Sequence, residues 1–496
     1  MKAKSHKKKK APPLQKEKEN PPLSSTPQSN YKYIQQHLNG SKDLIKKTVD
    51  TPAGPLTILY VETMIDQKVL QDKLLYPLLL LEEAMNRQQL QKRIQLDNRS
   101  LSNLTDAIQQ LLQGSALVFF PKSKQGISFD MKQTSIRSIT EPTTEKIIRG
   151  SHDGFIENLH TNVNIMRNRI MNPNLTVSYF EVEKKSKAKV AMLYLKGAAN
   201  QKTVRTLTTK IKTIAKSNLS PSDSIEKSLE SSSLSPFPQM LNTERPDQVM
   251  KYLLQGHVVL FEDHNPNALI MPVTFFSFYQ SPEDDRSRTV VGLFFRLIRF
   301  MSIWISLLLP SLYIAIIGFH FELLPNDLIV TIKSSIQGIP YPPLIEALLM
   351  ECILEFIREA AIRLPTPISQ TIGVVGGLVI GDAVVKSGFV SNVMVVVIAL
   401  TAIASFLVPS SEMSNSIRIV RFFFLFAASL LGLPGIMFAL MIVGIHMCSL
   451  RSMGTPYLAP FALFAFKKGS HIFYPKRFRK RRKKQAVKKG EKQDES

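Results

Sequence analysis

The feature that most constrains this chain is a series of long, uncharged apolar runs in its last 200 residues. A helix needs about 20 predominantly apolar residues to cross the hydrocarbon core of a bilayer. Runs of this kind are Phe300–Phe319, Leu364–Gly381, Ser387–Ser411 and Phe422–Leu450, in the last of which His446 is the only residue that can carry a charge. The sequence therefore predicts an all-α polytopic transmembrane domain over residues 291–466.

The number of spans stays open. Four spans leave both termini on one side of the membrane. The last run is too long for one straight span, and Gly432, Pro434 and Gly435 interrupt its middle. It is either one kinked span or two short ones, and two short ones require a further span, which the amphipathic stretch Pro343–Arg363 is able to supply. The shorter run Tyr457–Phe466 is predicted to be re-entrant or interfacial.

Basic residues cluster at the two ends of the chain, whose net charge is +24. Lys7–Lys10 and Arg477–Lys484 are the densest clusters. Next to apolar runs, such clusters favour the cytoplasmic side and an anionic leaflet over a nucleic-acid partner. The first lysines precede prolines and glutamates and no apolar h-region, so no secretory signal is predicted. We expect a disordered basic tail over residues 1–49 and a basic cytoplasmic tail over residues 467–496.

The region between the first tail and the apolar runs contains an internal repeat. The segment ILYVETMIDQKVL from residue 58 is similar to MLYLKGAANQKTV from residue 192, and LLQGSALVFF from residue 111 is similar to LLQGHVVLFE from residue 253. Gly114 and Gly256 suit helix C-caps, which require φ > 0. Chance similarity is the alternative. We predict a soluble α/β region of two related subdomains, over residues 50–140 and 141–290.

The amphipathic stretch Pro343–Arg363 gathers charge on one side. The residues on that side are Glu351, Glu355, Arg358 and Glu359. One interpretation is a solvated or interfacial helix with surface ion pairs; the other is the vestibule of a channel, where an acidic ring favours cations. Three carboxylates on one exposed face, without a nucleophile or metal ligands, argue against acid–base catalysis.

The run that follows combines small residues with a polar stripe. Its glycines, predicted to pack against neighbouring helices, are Gly373, Gly376, Gly377 and Gly381. The residues predicted to line or gate a pore, most of them on the opposite side, are Thr371, Val375, Leu378, Val379 and Asp382. The alternative for Asp382 is a place near the membrane surface and an ion pair with Lys386.

Other side chains give weaker signals. Cys352 and Cys448 form no disulfide framework and lack partners at zinc spacing. No Ser/His/Asp or Cys/His set stands out, so the sequence predicts neither an enzyme nor a metal or cofactor site. Arg296 and Arg299 are expected to extend from the first span to the membrane interface.

Several long segments carry a family resemblance that covers nearly everything from about residue 56 to 461. The segments are RGSHDGFIENLHTNVNIMRNR from residue 149, TERPDQVMKYLLQGHVVL from 243, LPSLYIA from 309, PPLIEALLMECILEFIREAAIRLP from 342, TIGVVGGLVIGDAVVKSGFVS from 371 and GTPYLAPF from 454. They resemble the GerA-type A subunits of bacterial spore germinant receptors. The chain departs from the family pattern at Asp285-Arg286, Ala361, Val384 and Lys386, which affects packing and local charge and not the assignment.

The resemblance implies a role that periodicity does not show. Such A subunits work with B and C subunits in the inner membrane of the dormant spore, where the B subunit is favoured as the germinant binder. The A subunit is implied to form a homo-oligomer and a nutrient-gated channel for monovalent cations. The rival interpretation is a transporter-like or scaffolding subunit that does not conduct. A transporter is expected to show inverted repeats in its spans, whereas the duplication here lies in the soluble region.

Overall fold

The structure, a computed structural model, describes residues 20–83, 85–133, 142, 145, 151–182, 189–216, 225–365, 377, 379 and 381–459. Within these residues, two five-stranded sheets flanked by helices precede a group of packed helices. The predicted α/β region followed by a helical region is thereby confirmed.

The first subdomain is a sheet covered by helices on both faces. Its strands are β1 (Leu44–Thr51), β2 (Gly54–Val61), β3 (Asn98–Leu101), β4 (Ser115–Phe119) and β5 (Gly126–Asp130). Its helices are α1 (Pro27–His37), α2 (Gln67–Val69), α3 (Tyr76–Leu79), α4 (Arg87–Arg93) and α5 (Leu104–Leu112), with a π-helical turn Leu70–Leu75 between α2 and α3. Ile58 and Tyr60 of β2 join the core shared with the π-helical turn, α3 and α4, and Leu59 and Val61 join the core shared with α1 and α5. Burial on both faces is why β2 reads as a continuous apolar run.

The second subdomain repeats this topology. Its strands are β6 (Leu175–Glu181), β7 (Lys189–Leu195), β8 (Leu241–Thr243), β9 (Val258–Glu262) and β10 (Ala268–Met271). Its helices are α6 (Leu159–Arg169), α7 (Gln201–Ile214), α8 (Ile225–Leu229) and α9 (Pro246–Gln255), and a 3₁₀ turn Phe275–Tyr279 and α10 (Pro282–Arg286) follow. The strand orders are β1-β2-β4-β5-β3 and β6-β7-β9-β10-β8, with antiparallel neighbours in both sheets. The shared order agrees with the predicted repeat.

Equivalent residues of the repeat start equivalent helices. The Asp66 carboxylate accepts hydrogen bonds from the backbone N–H groups of Lys68 (2.9 Å) and Val69 (3.2 Å). The Asn200 side chain, at the same point of the second repeat, accepts one from Lys202 N–H (2.9 Å). Short polar side chains at this position satisfy N–H groups that have no partner within the helix. The duplication thus preserved the N-cap as well as the strands.

The two repeat glycines occupy a second equivalent site. Gly114 and Gly256 have φ of +93° and +94°, after α5 and α9. A Cβ on Gly114 would lie 3.0 Å from the carbonyl oxygen of Met64, and a Cβ on Gly256 would overlap that of Ala198, the equivalent residue. Both the backbone conformation and the close approach therefore require glycine.

Gly256→Ala is expected to lower the free energy of unfolding of the soluble region by about 1–3 kcal/mol, because it combines an unfavourable φ with a clash against backbone. Gly197→Ala is the matched control, since Gly197 has φ of +91° but no atom within 4 Å of its Cβ position. Denaturant unfolding of the two purified variants measures the difference. Equal losses would show that the contact with Ala198 contributes nothing.

The ordered chain begins earlier than the predicted tail allows. Both α1 and β1 start before residue 50, and Leu23, Ile34 and Leu38 are buried against α5 and the first sheet. The prediction of a disordered tail over all of residues 1–49 is therefore wrong for residues 20–49. The composition of this segment is polar, but a few spaced apolar side chains are enough to order it when another surface of the protein covers them.

The helical region packs onto the second subdomain. Its helices are α11 (Thr289–Phe319), α12 (Asn326–Ile336), α13 (Pro343–Arg363), α14 (Gly381–Lys386), α15 (Asn392–Phe406), α16 (Ser411–Leu431) and α17 (Leu433–Ser449), with a 3₁₀ turn Phe321–Leu323 after α11 and a short hairpin of β11 (Arg451–Ser452) and β12 (Thr455–Pro456) at the end. Among the described residues, α11 and α16 are long and apolar enough to cross a membrane, and α15 and α17 are shorter apolar helices.

The long predicted run around Gly432 is two helices that form a hairpin. Gly432 has φ of +62° between α16 and α17. The hydroxyl of Ser416, near the start of α16, donates to Pro236 O, and His446, near the end of α17, lies 2.9 Å from the Ser235 hydroxyl. The two distant ends thus meet the same loop, so the helices are antiparallel, which corresponds to the alternative of two short segments.

The boundaries of two predicted runs differ from the helices. The run Ser387–Ser411 contains a helix of 15 residues, α15. Helix α16 begins at Ser411, well before the predicted run at Phe422, and includes Arg418 and Arg421. A predicted run of uncharged residues ends at an arginine. A helix can continue past the arginine when acidic groups on another helix neutralise the charge.

Candidate functional site

The helical region contains a row of acidic groups along α13, which we call the α13 ladder and define as Glu346, Glu351, Glu355 and Glu359. Pro343 occupies the first turn of α13, where its missing N–H costs nothing. The helix ends just before Pro365, which disfavours helical backbone at the preceding residue. Spacings of four residues keep Glu351, Glu355 and Glu359 near one side, whereas the five-residue step from Glu346 to Glu351 turns the helix by about 140°, so Glu346 faces a different partner.

The deepest pair of the ladder joins three helices. Both carboxylate oxygens of Glu351 accept from Arg421 Nη1, at 2.8 and 2.7 Å. Arg421 Nε donates to Ser306 O, and Nη2 to Ser306 Oγ, both at 2.7 Å. The two charged side chains are 2% and 3% exposed. With all three guanidinium nitrogens paired, the cost of burying the charges is offset, and α11, α13 and α16 are held in one register.

Glu346 lies one level further from the soluble region. It is fully buried, and its Oε2 accepts from Ser391 N–H at 3.0 Å. The Ser391 hydroxyl caps α15 by accepting from Met394 N–H and lies 3.2 Å from Tyr313 OH. Within the described residues, Glu346 Oε1 has no hydrogen-bond partner. This level of the ladder therefore carries a buried acceptor that is only half satisfied.

The ladder becomes more exposed toward the soluble region. Glu355 accepts from Arg418 Nη1 at 2.5 Å and from Arg358 Nη1 at 3.2 Å. These three side chains are 16–29% exposed. Glu359 pairs with Arg363 at 2.5 Å, and both are more than half exposed. Exposed pairs of this kind contribute little to stability, so the energy of the ladder is concentrated at its buried end.

The ladder alters the predicted acidic face. Glu355 and Glu359 lie toward the surface as expected, but Glu351 faces the interior of the helix group rather than an exposed side. Arg421, its partner, was missed by the sequence analysis because it adjoins an apolar run and is separated from Glu351 by 70 residues. An arginine followed directly by a long apolar run was the one available signal.

A second charged cluster fixes the first long helix to the soluble region. Asp284 of α10 is buried and accepts from Arg296 Nε at 3.1 Å and from Arg299 Nη1 at 2.8 Å. Gly292 allows α11 to pass close to α10, since a Cβ there would lie 2.8 Å from Asp284 O. Arg296 and Arg299, which were expected to extend to the membrane interface, are both bound by this acid of the α/β region; their position relative to a membrane stays a prediction.

The end of the described chain returns to the same junction. Tyr457 OH donates to Pro238 O at 2.8 Å, and Ser452 Oγ donates to Gln239 O at 2.7 Å. Nearby, burial raises the pKa of the Glu145 carboxyl to about 7, although a hydrogen bond from Thr243 lowers it. The junction thus holds the start of α11, the end of α17 and the second subdomain together through polar contacts.

The comparisons with known proteins identify the family. The sequence model described as Bacillus/Clostridium GerA spore germination protein matches residues 32–487. The chain belongs to this family. It is 36% identical over 440 residues to spore germination protein A1 of Bacillus subtilis (strain 168), covering 88% of this chain and 91% of that protein. It is 35% identical over 457 residues to the uncharacterized membrane protein YfkQ of the same organism, covering 91% and 89%.

A solved structure is also similar. It is the crystal structure of the N-terminal domain of the A subunit of the Bacillus megaterium spore germinant receptor GerK3, with a TM-score of 0.41 and 23% identity over 52% of this chain and 99% of that one. The relatives named as spore germination proteins are 32–38% identical to this GerA-family chain over most of its length, which supports a role in spore germination.

The residues predicted to line a pore lie mostly outside the described ranges, which exclude Thr371, Val375 and Leu378, and also Gly373 and Gly376. Of the others, Val379 is 56% exposed. Asp382 forms an exposed ion pair with Lys386 at 2.7 Å, as in the alternative interpretation of that acid. The pore assignment of all five residues stays a prediction.

The described glycines of the same stretch have room beside them. No atom lies within 4 Å of the Cβ positions of Gly377 and Gly381. Their predicted packing partner is therefore not among the described residues of the same chain, and the packing role stays a prediction. Cys352 and Cys448 are free thiols, and the described part of the chain contains no group of three or more His, Cys, Asp or Glu placed to hold a metal ion.

Proposed function

We propose that this chain is the A subunit of a nutrient-sensing spore germinant receptor, that it forms a homo-oligomer in the spore inner membrane, and that it works there with B and C subunits. The assembly forms a nutrient-gated channel for monovalent cations and catalyses no reaction. Opening of the channel transmits the nutrient signal that triggers germination.

The observation that supports the oligomer is the exposed edge of the helical region, which we define as α12, Gly377, Val379 and residues 381–386. Helix α12 has no buried residue, and its apolar side chains Leu328 and Val330 are 50% and 71% exposed. Among the described residues, no atom lies within 4 Å of the Cβ positions of Gly377 and Gly381, whose spacing suits close helix contact. Apolar and small residues that the described part of one chain leaves exposed are expected where a second copy, a partner subunit or lipid covers them.

The direction of the helices supports a multi-pass arrangement with both termini in the cytoplasm. The first long helix starts at the junction with the soluble region, where Asp284 binds Arg299. The chain returns there after α17, where Tyr457 binds Pro238. An even number of crossings gives this result, and Arg477–Lys484 then lies on the side that basic clusters prefer.

The scaffolding alternative has one observation in its favour. Arg421 and Arg418 neutralise Glu351 and Glu355. Only Glu359 of the predicted vestibule is left with a mainly exposed carboxylate. A ladder of paired charges holds helices together and does not by itself attract cations, so conduction depends on the stretch around Val375 and Leu378.

Val375→Ala and Leu378→Ala test the channel directly. Smaller side chains are expected to widen and wet an apolar constriction, so spores with either variant should release potassium without nutrient. Potassium in the medium is followed with an ion electrode, and receptor level is checked by immunoblot. Val396→Ala is the matched control, because Val396 lies on α15 with 57% of its surface exposed. If both pore variants assemble, retain potassium and respond normally to nutrient, this stretch is not the gate and the scaffold is favoured.

A further inference from the structure

An apolar cavity of about 270 Å³ lies between the helical region and the second subdomain. The 3₁₀ turn contributes Phe275, Phe276 and Tyr279, and α11 contributes Trp304. Apolar side chains of α16 and α17, together with Phe237 and Leu458, complete the wall. The volume is close to the lower end of the roughly 300–1,000 Å³ typical of ligand sites. Cavities with such walls exclude water and accept apolar ligands.

One residue that lines the cavity carries a buried hydroxyl without a partner. Tyr279 is 8% exposed, and its hydroxyl makes no hydrogen bond within the described part of the chain. A buried tyrosine hydroxyl normally finds a partner, because leaving it unpaired costs free energy. The cavity therefore fits a ligand that is apolar along most of its length and offers one hydrogen-bond acceptor.

The cavity continues into the outer apolar surface of the helices. Trp304 lines it and is 42% exposed, beside Met301 and Ile305 at 47% and 43%. Helix α17 likewise lines it on one side and exposes Met441 on another. In the proposed membrane location, a ligand that enters through this surface comes from the bilayer around the apolar helices.

The depth of the opening indicates which part of a lipid it meets. Trp304 follows Arg299, which Asp284 holds at the junction, by five residues. At 1.5 Å per residue the separation along α11 is about 7.5 Å. Tryptophan is enriched at this level of a bilayer, between the headgroups and the hydrocarbon core, where the ester carbonyls of glycerolipids lie.

We propose that the cavity holds one acyl chain of a membrane glycerolipid, with the ester carbonyl accepting a hydrogen bond from the Tyr279 hydroxyl. The bound chain connects the 3₁₀ turn of the soluble region with α11, α16 and α17. This site rests on the proposed membrane location of the helices and adds a specific lipid to it.

A photoreactive lipid tests the site in the full chain. The purified protein is reconstituted in phosphatidylglycerol vesicles that contain a small fraction of phospholipid with a diazirine on one acyl chain. After illumination, labelled residues are mapped by mass spectrometry. Label on Phe275–Tyr279 reports the cavity, and label on Met437 and Met441, which are 66% and 54% exposed, reports ordinary contact with the bilayer.

Two glycines give a matched pair of variants. Gly444 lines the cavity, and no atom lies within 4 Å of its Cβ position, so Gly444→Leu fills the space. Gly318 on α11 is equally open but does not line the cavity. We expect Gly444→Leu to reduce label on the 3₁₀ turn about tenfold, since excluding two methylene groups weakens an apolar ligand by about that factor. Gly318→Leu should leave it unchanged.

The remaining outcomes separate the lipid site from the membrane location. Label on α17 without label on the turn overturns the lipid site and leaves the membrane location intact. That result would also be expected if the residues after Leu458, which lines the cavity, fill it instead. No label on either segment overturns both. Label on the turn that persists in Gly444→Leu shows contact outside the cavity and also overturns the site.

Tyr279→Phe should reduce the label on the 3₁₀ turn about fivefold if the hydroxyl binds the ester.

Discussion

Arg421→Met is expected to lower the free energy of unfolding of the helical region by about 3–5 kcal/mol, because it leaves the Glu351 carboxylate buried without its partner. The carboxylate accepts both of its bonds in this cluster from Arg421, and the Ser306 hydroxyl also loses its donor. Equilibrium unfolding in mixed detergent micelles, followed by circular dichroism, measures the loss.

Two further variants make this result specific. Arg363→Met removes the partner of Glu359 on the same helix, where both side chains are exposed, and should cost about 1 kcal/mol or less. Glu351→Leu combined with Arg421→Met removes both charges and should recover much of the stability, because an apolar pair often replaces a buried ion pair without loss. If Arg421→Met is no more destabilising than Arg363→Met, the buried pair does not hold the helices together.

Asp43→Ala is expected to destabilise the soluble region by about 3–5 kcal/mol, since it leaves Arg167 buried and unpaired between the two subdomains. Asp43 accepts from Arg167 Nε at 2.9 Å and from Nη2 at 3.0 Å, and both side chains are 1% exposed. Arg167 also binds Leu175 O and the Ser41 hydroxyl. The cluster thus links the start of the first sheet to α6 and β6.

Asp153→Ala is the control for this second prediction. It removes the partner of Arg169, two residues from Arg167 on the same helix, but the Asp153 and Arg169 side chains are 21% and 23% exposed. Water replaces part of that interaction, so about 1 kcal/mol or less is expected. Denaturant unfolding compares the variants, and limited proteolysis shows whether the subdomains separate. Similar losses from Asp43→Ala and Asp153→Ala would refute a special role for the buried pair.

Features that depend on residues adjacent in the sequence could be predicted from the sequence alone. The positive φ at Gly114 and Gly256 follows from the conformations that glycine allows. The break at Gly432 follows from the same property. Because duplication copied these local features together with the apolar strands, the repeat was visible before the sheets were.

The ordered start of the chain and the limits of α16 were not readable in this way. Leu23 and Leu38 are isolated apolar residues in a polar segment, and their burial depends on α5 and the first sheet. The charge of Arg421 ended the predicted run, although the helix begins at Ser411. Composition averages over a window, whereas burial is decided by whatever surface the fold brings against each side chain.

The sequence by itself determined the repeated α/β topology, the helical region and the family, because periodicity, turn residues and long matching segments are properties of the chain alone. Only the tertiary structure decided how charge is used. Glu351 meets Arg421 across 70 residues, and Arg167 meets Asp43 across 124. The sequence around an isolated glutamate on a helix does not reveal whether the side chain faces water, a pore or an arginine. Its environment is fixed only when distant segments pack, since a buried charge persists only where another segment supplies the opposite one.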